Sequence, residues 1–210
     1  MFQKTLAVLA LAAALVPAAQ AAPVSALTFT SAENNTTCCT STRGYAFDVL
    51  DSGLFATHLG IWDAGSDGLA VSHDVGLWNS LGVLVASVTV PGGAAASLVD
   101  GFRYVDIADV ALSTGRYTVG ALFFASGTDD QARNLVGTAT ASGISFVGAR
   151  FINNGVASLT NPTESLGITG LMGGSLMVDR VNGRVPEPGA MSLVALAIGA
   201  AGVAARRRKA

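Results

Sequence analysis

The sequence predicts an all-β fold, an antiparallel β-sandwich or jelly roll, on three observations. Short apolar–polar alternations recur along the middle of the chain, turn-forming residues separate them, and no amphipathic helical window interrupts them. Residues 44–49 and 73–78 alternate. Residues 83–90, 102–107, 116–125 and 144–151 are runs of β-branched or aromatic side chains, and 55–62 is strand-like. Clusters such as Pro91-Gly92-Gly93 and Asn153-Asn154-Gly155 punctuate them. Strands spaced about ten to fifteen residues apart leave no room for the crossover helices of a parallel sheet. Beyond Asn153 the chain is rich in Gly, Ser and Thr, and strand signal returns only at Leu176-Met177-Val178, the expected closing strand.

The two ends read differently. One positive charge, Lys4, precedes an apolar run from Leu6 to Val16, then Pro17 and the small residues Ala18-Ala19-Gln20-Ala21-Ala22. Ala19 and Ala21 give the small-x-small spacing that signal peptidase accepts, and eleven apolar residues are too few to span a bilayer. Residues 1–21 are therefore expected to form a cleaved signal peptide helix, and 22–184 the exported domain. At the other end, Val185-Pro186-Glu187-Pro188-Gly189 breaks regular structure, because proline fixes φ and lacks a backbone donor. The span from Ala190 to Ala205 is uncharged, and Arg206-Arg207-Arg208-Lys209 follows. An apolar span ahead of a basic cluster places the cluster in the cytoplasm and the preceding domain outside. The span is about sixteen residues, at the short limit for a transmembrane helix, which suits a transient anchor.

Pro186-Glu187-Pro188, the short apolar span and the basic cluster together resemble the PEP-CTERM sorting signal of Gram-negative bacteria. The resemblance covers residues 185–210. It implies that an exosortase, a membrane-embedded cysteine protease-transpeptidase, recognises the Pro-Glu-Pro motif and removes the tail. The inner membrane would then hold the chain only in transit.

Within 22–184, thirteen acidic side chains face seven arginines and no lysine, a net charge of minus six. That balance lacks the electrostatic footprint of a nucleic-acid binder. Leu59-Gly60-Ile61-Trp62-Asp63, Val75-Gly76-Leu77-Trp78-Asn79 and Gly101-Phe102-Arg103-Tyr104 resemble a repeating pattern in an uncharacterised β-sandwich domain of bacterial surface proteins. This likeness covers about residues 44–120 and implies a fold but no activity.

Residues 63–74 have the spacing of a calcium loop, with acids at the first, fifth and twelfth places and Gly68 at the sixth. Glycine permits the sharp turn that lets oxygens converge on a cation. Asp63, Asp67, the Leu69 carbonyl and Asp74 are the candidate calcium ligands. Gly65 at the third place brings no side-chain oxygen, Asp74 is shorter than the usual glutamate, and a solvated turn between strands uses the same residue types. Cys38 and Cys39 are the only cysteines and are adjacent. A vicinal disulfide is the expected state, strained because adjacent Cα atoms lie about 3.8 Å apart; an intermolecular bond is the alternative, and metal binding by two bare thiols is disfavoured. The neighbouring residues Asn34-Asn35-Thr36-Thr37 read as an exposed polar loop.

Catalytic ingredients are sparse. His58 and His73 are the only histidines, and both lie in strand-like segments. Asp129-Asp130 follows Gly127-Thr128 and reads as a solvated turn. There is no nucleophile elbow and no zinc-spaced Cys/His set. The expected function is thus a non-catalytic cell-surface or matrix protein associated with exopolysaccharide. A carbohydrate-binding module using Trp62, Trp78 or Tyr104 as sugar platforms is the alternative, and a secreted hydrolase with paired carboxylates is a third.

Overall fold

The computed structural model describes residues 22–35, 40–124, 129–153, 155, 157–165 and 170–180. Apart from one 3-10 turn at Ala64–Ser66, every regular element among them is a strand. The first half contains β1 (Val24–Ser25), β2 (Leu27–Thr28), β3 (Ser31–Asn35), β4 (Ser41–Val49), β5 (Leu54–Trp62), β6 (His73–Asn79), β7 (Leu84–Val90) and β8 (Ser97–Val99). The second half contains β9 (Phe102–Leu112), β10 (Gly115–Phe123), β11 (Gln131–Val136), β12 (Ala139–Thr140), β13 (Ile144–Ile152), β14 (Glu164–Ser165), β15 (Leu171–Met172) and β16 (Gly174–Arg180). The expected signal helix and tail helix fall outside the described residues.

Every strand expected from alternation is present. β9 runs five residues past the expected Ile107, because pairing with β5 carries it through the polar Ala108-Asp109 to Val110 and Leu112. Asn34 and Asn35 end a strand instead of lying in a loop, since β3 pairs with β11 there, Gln131 opposite Asn35. β11 itself carries no strand signal in sequence. Its Arg133 and Asn134 interrupt any apolar pattern, and it pairs with β3 through a register shift between Arg133 and Val136, where Asn134 has a φ of 51°.

The strands form two large antiparallel sheets, ordered β1-β16-β5-β9-β8 and β14-β13-β4-β10-β6-β7, and two small ones, β15-β11-β3 and β12-β2. The chain crosses between the large sheets at residues 50–53, 63–72, 91–96 and 113–114. One hydrophobic core joins them. Tyr45, Phe47 and Val49 of β4 and Tyr117, Val119, Ala121 and Phe123 of β10 meet Leu59 and Ile61 of β5 and Leu176 and Val178 of β16. Successive side chains on a strand point to opposite faces, so these odd–even sets follow from the pleat. Each large apolar side chain buried this way contributes roughly 1.5–3 kcal/mol.

The outer face of the six-stranded sheet is also covered. Gly44, Gly120 and Gly76 stand side by side on β4, β10 and β6, forming a trough without side chains. Trp78 folds into it, and a Cβ at Gly76 would lie 2.6 Å from its ring and 2.9 Å from Leu159. A Cβ at Gly120 would lie 3.0 Å from Pro162. Residues 157–163 of the weakly patterned stretch therefore form a cover strip, pinned by the Thr160 amide donating to the Thr42 hydroxyl at 3.2 Å.

Candidate functional site

The 63–74 segment begins where β5 ends. Gly68 does adopt the left-handed backbone expected of it, with φ of 112°. Its amide donates to both oxygens of Asp63, at 3.2 and 3.1 Å. Asp63 is 2 % exposed and forms an ion pair with Arg103 of β9, Nε to Oδ2 at 2.7 Å. The rest of that guanidinium donates to the carbonyls of Ala94 and Ala96, both at 3.1 Å, and of Ser66 at 3.2 Å. One buried cation thus ties the loops at 63–68 and 91–96 to the sheet.

This arrangement gives the expected calcium ligands separate surroundings. The Asp63 carboxylate already faces a full positive charge. The Leu69 carbonyl accepts from the Gly93 amide at 2.6 Å in an isolated bridge. Asp74 points outward from β6, where its carboxylate accepts from the Thr89 hydroxyl at 2.6 Å, and Asp67 is exposed. The four candidate donors do not converge, and among the described residues no group of three His, Cys, Asp or Glu side chains is placed to hold a metal. The loop spacing is real, but a buried arginine from 40 residues away takes the place of a cation.

A second polar cluster lies at the same end of the domain. His73 is 2 % exposed, with Nδ1 2.7 Å from the Leu122 carbonyl and Nε2 2.9 Å from Asp129 Oδ2. The carbonyl can only accept, so Nδ1 donates to it, and Nε2 faces the Asp129 carboxylate. Asp129 also accepts from the Ala70 amide at 2.8 Å and the Val71 amide at 3.2 Å. The expected solvated turn is therefore a clasp, its carboxylate side chain only 9 % exposed. Phe123 and Phe124 pack beside the ring, and the depression lined by Val71, His73 and Asp129 is too shallow to hold a water molecule. Both ring nitrogens are thus engaged within the domain itself. His58, by contrast, is half-buried near Asp106, at 3.7 Å.

A third cluster ties together β9, β16 and β1 of the five-stranded sheet. The Tyr104 hydroxyl lies 3.0 Å from the Ser175 hydroxyl and 3.4 Å from that of Ser25, which donates to Asp100 at 2.7 Å. Burial pushes the Tyr104 phenol up to about 12, and the Asp100 charge adds to the rise. Tyr45 is raised further, first by burial and then by the neighbouring Tyr104. Its hydroxyl sits close to Ser175 and the Leu176 backbone but makes no hydrogen bond of proper geometry.

The aromatic platforms expected of a sugar-binding face are absent at the named positions. Trp78 and Tyr104 are 4 % and 2 % exposed. Trp62 is half-buried between Phe29 and Phe102, with ring centroids 5.0 and 5.4 Å away. Cys38, Cys39, Pro186-Glu187-Pro188 and Arg206–Lys209 lie outside the described residues. What sequence reading missed was the partners: Arg103 for Asp63, and Asp129 for His73. One signal was present, an arginine inside the apolar run Phe102-Arg103-Tyr104.

The described residues thus define a layered, all-β domain whose buried charges bind its own loops together, ahead of a separate C-terminal segment. That segment can be identified. Residues 184–209 match the PEP-CTERM protein-sorting motif. The chain carries a PEP-CTERM sorting signal, which implies that it is exported and sorted by exosortase at the membrane toward the cell surface. The match does not extend into residues 44–120, and no curated protein and no solved structure matches the chain.

Proposed function

We propose that the chain is a non-catalytic cell-surface or extracellular-matrix protein that works as a sandwich-like scaffold in an exopolysaccharide or biofilm layer. The observation that carries this reading is the sorting motif at 184–209, which begins four residues after β16 ends at Arg180. On this reading signal peptidase removes residues 1–21, and exosortase acts at Pro186-Glu187-Pro188. The apolar span and the Arg206–Lys209 cluster hold the chain at the inner membrane only until then. The non-catalytic part draws support from chemistry. The buried polar groups Asp63, Arg103, His73 and Asp129 each bind loop backbone or one another, and such saturated contacts rigidify a fold instead of serving a reacting molecule.

Peptide mapping of the mature protein tests the processing. The expected C-terminus lies near Pro186-Glu187-Pro188. Surface-located protein that still carries the Arg206–Lys209 cluster would overturn the reading. Association with exopolysaccharide is tested by co-purification of the mature protein with the native matrix, and its recovery instead in matrix-free washes of wild-type cells counts against it.

A further inference from the structure

β1 and β16 pair antiparallel, with Val24 opposite Val178 and Ser25 opposite Met177. The chain therefore enters and leaves the domain at one end. The registers define that pole: Leu54 lies opposite both Arg180 and Leu112, and Val49 opposite both Gly115 and Ile144. The turns at 50–53 and 113–114 close it. The tip of the β6–β7 hairpin at 80–83 points the same way, because Asn79 lies opposite Tyr117.

Charges and apolar groups divide unequally at this pole. Its turn charges pair, Arg180 with Asp51 at 2.7 Å and Arg116 with Asp48 at 2.6 Å. Its apolar groups do not: Leu50, Leu81, Val83 and Leu84 are 60, 84, 54 and 46 % exposed, and Val24 is 54 % exposed. These are five of the eight large hydrophobics exposed among the described residues, whereas the opposite pole carries Leu98 and Val71, at 41 and 39 %. A scattered exposed leucine is ordinary, but five such residues gathered where both chain ends emerge are not scattered. The domain as a whole is acidic, so an anionic membrane repels most of its surface. The pole with the protruding leucines presents the most apolar surface to it. Reach confines it further, since six residues from Arg180 to Pro186 extend at most about 20 Å.

We propose that this pole rests on the lipid surface of the membrane while the sorting tail is attached, and is freed when the tail is removed. The inference rests on the anchoring reading above. It is tested with the full-length chain in vesicles of phosphatidylethanolamine and phosphatidylglycerol, carrying a photo-crosslinking amino acid at Leu81 or at Leu98. Both positions are exposed, so either substitution leaves the core untouched. Lipid adducts several-fold more abundant from position 81 than from 98 are expected. Chain that floats with the vesicles but crosslinks equally from both positions, or more from 98, overturns the assignment of the pole and leaves anchoring intact. Chain that does not float overturns the anchoring, and this proposal with it.

Discussion

Replacing Asp63 with alanine separates the two accounts of the 63–74 loop. In the structure the carboxylate is 2 % exposed, pairs with Arg103 at 2.7 Å and accepts the Gly68 amide. Removing one partner of a buried pair costs about 3–5 kcal/mol, because the other charge is left in a low-dielectric interior. Arg103 keeps the carbonyls of Ala94, Ala96 and Ser66, which moves the expected loss toward the lower end, about 3 kcal/mol. For a domain of this size that corresponds to a fall in Tm of roughly 10 °C. The assay is thermal unfolding of the mature protein followed by circular dichroism, with millimolar calcium and with chelator. The same fall is expected in both conditions, and Asp67→Ala, at an exposed position, should change stability by less than about 0.5 kcal/mol. A wild-type protein stabilised by calcium, with Asp63→Ala matching it in chelator, would refute the ion-pair reasoning. Because well-packed apolar groups can replace a buried pair at little cost, Asp63→Leu combined with Arg103→Met should be more stable than Asp63→Ala alone.

Two other outcomes follow from the core and from the outer face. Tyr104 and Tyr45 both ionise less readily folded than unfolded, so their contribution is fully present below about pH 10 and is lost as pH rises toward the folded value, about 12 for Tyr104. Alkaline unfolding should then coincide with the appearance of tyrosinate absorbance, and Tyr104→Phe should make the pH dependence shallower. Tyrosinate that forms gradually while circular dichroism stays native sinks this account. On the outer face, Gly120→Val should cost about 1–3 kcal/mol by overpacking, because its Cβ would meet both Pro162 and Thr42 at 3.0 Å. It should also speed hydrogen exchange at the Thr160 amide, and unchanged exchange there would mean that the 157–163 strip does not depend on the trough.

The strands were legible because period-two alternation is a local property: Tyr45, Phe47 and Val49 must share a face whatever lies opposite them. Their sheet partners were not, because register is set across dozens of residues. Asn34-Asn35 shows the difference, reading as loop in isolation and becoming strand only against Gln131. The glycines at 44, 76 and 120 lie in three strands far apart in the chain, and only cross-strand register turns them into one trough for Trp78.

By itself the sequence determined the all-β class and the sorting tail, both of which depend on residues close together in the chain. Tertiary structure alone decided what the charged side chains do. Asp63 could hold a cation or a guanidinium on spacing alone, and the choice fell to Arg103, which folding brings to it from β9. His73 likewise gained its carboxylate partner because the fold brings Asp129 to it from 56 residues away. A buried charge must be compensated, and its compensating partner is found in space, at a separation along the chain that no local pattern records.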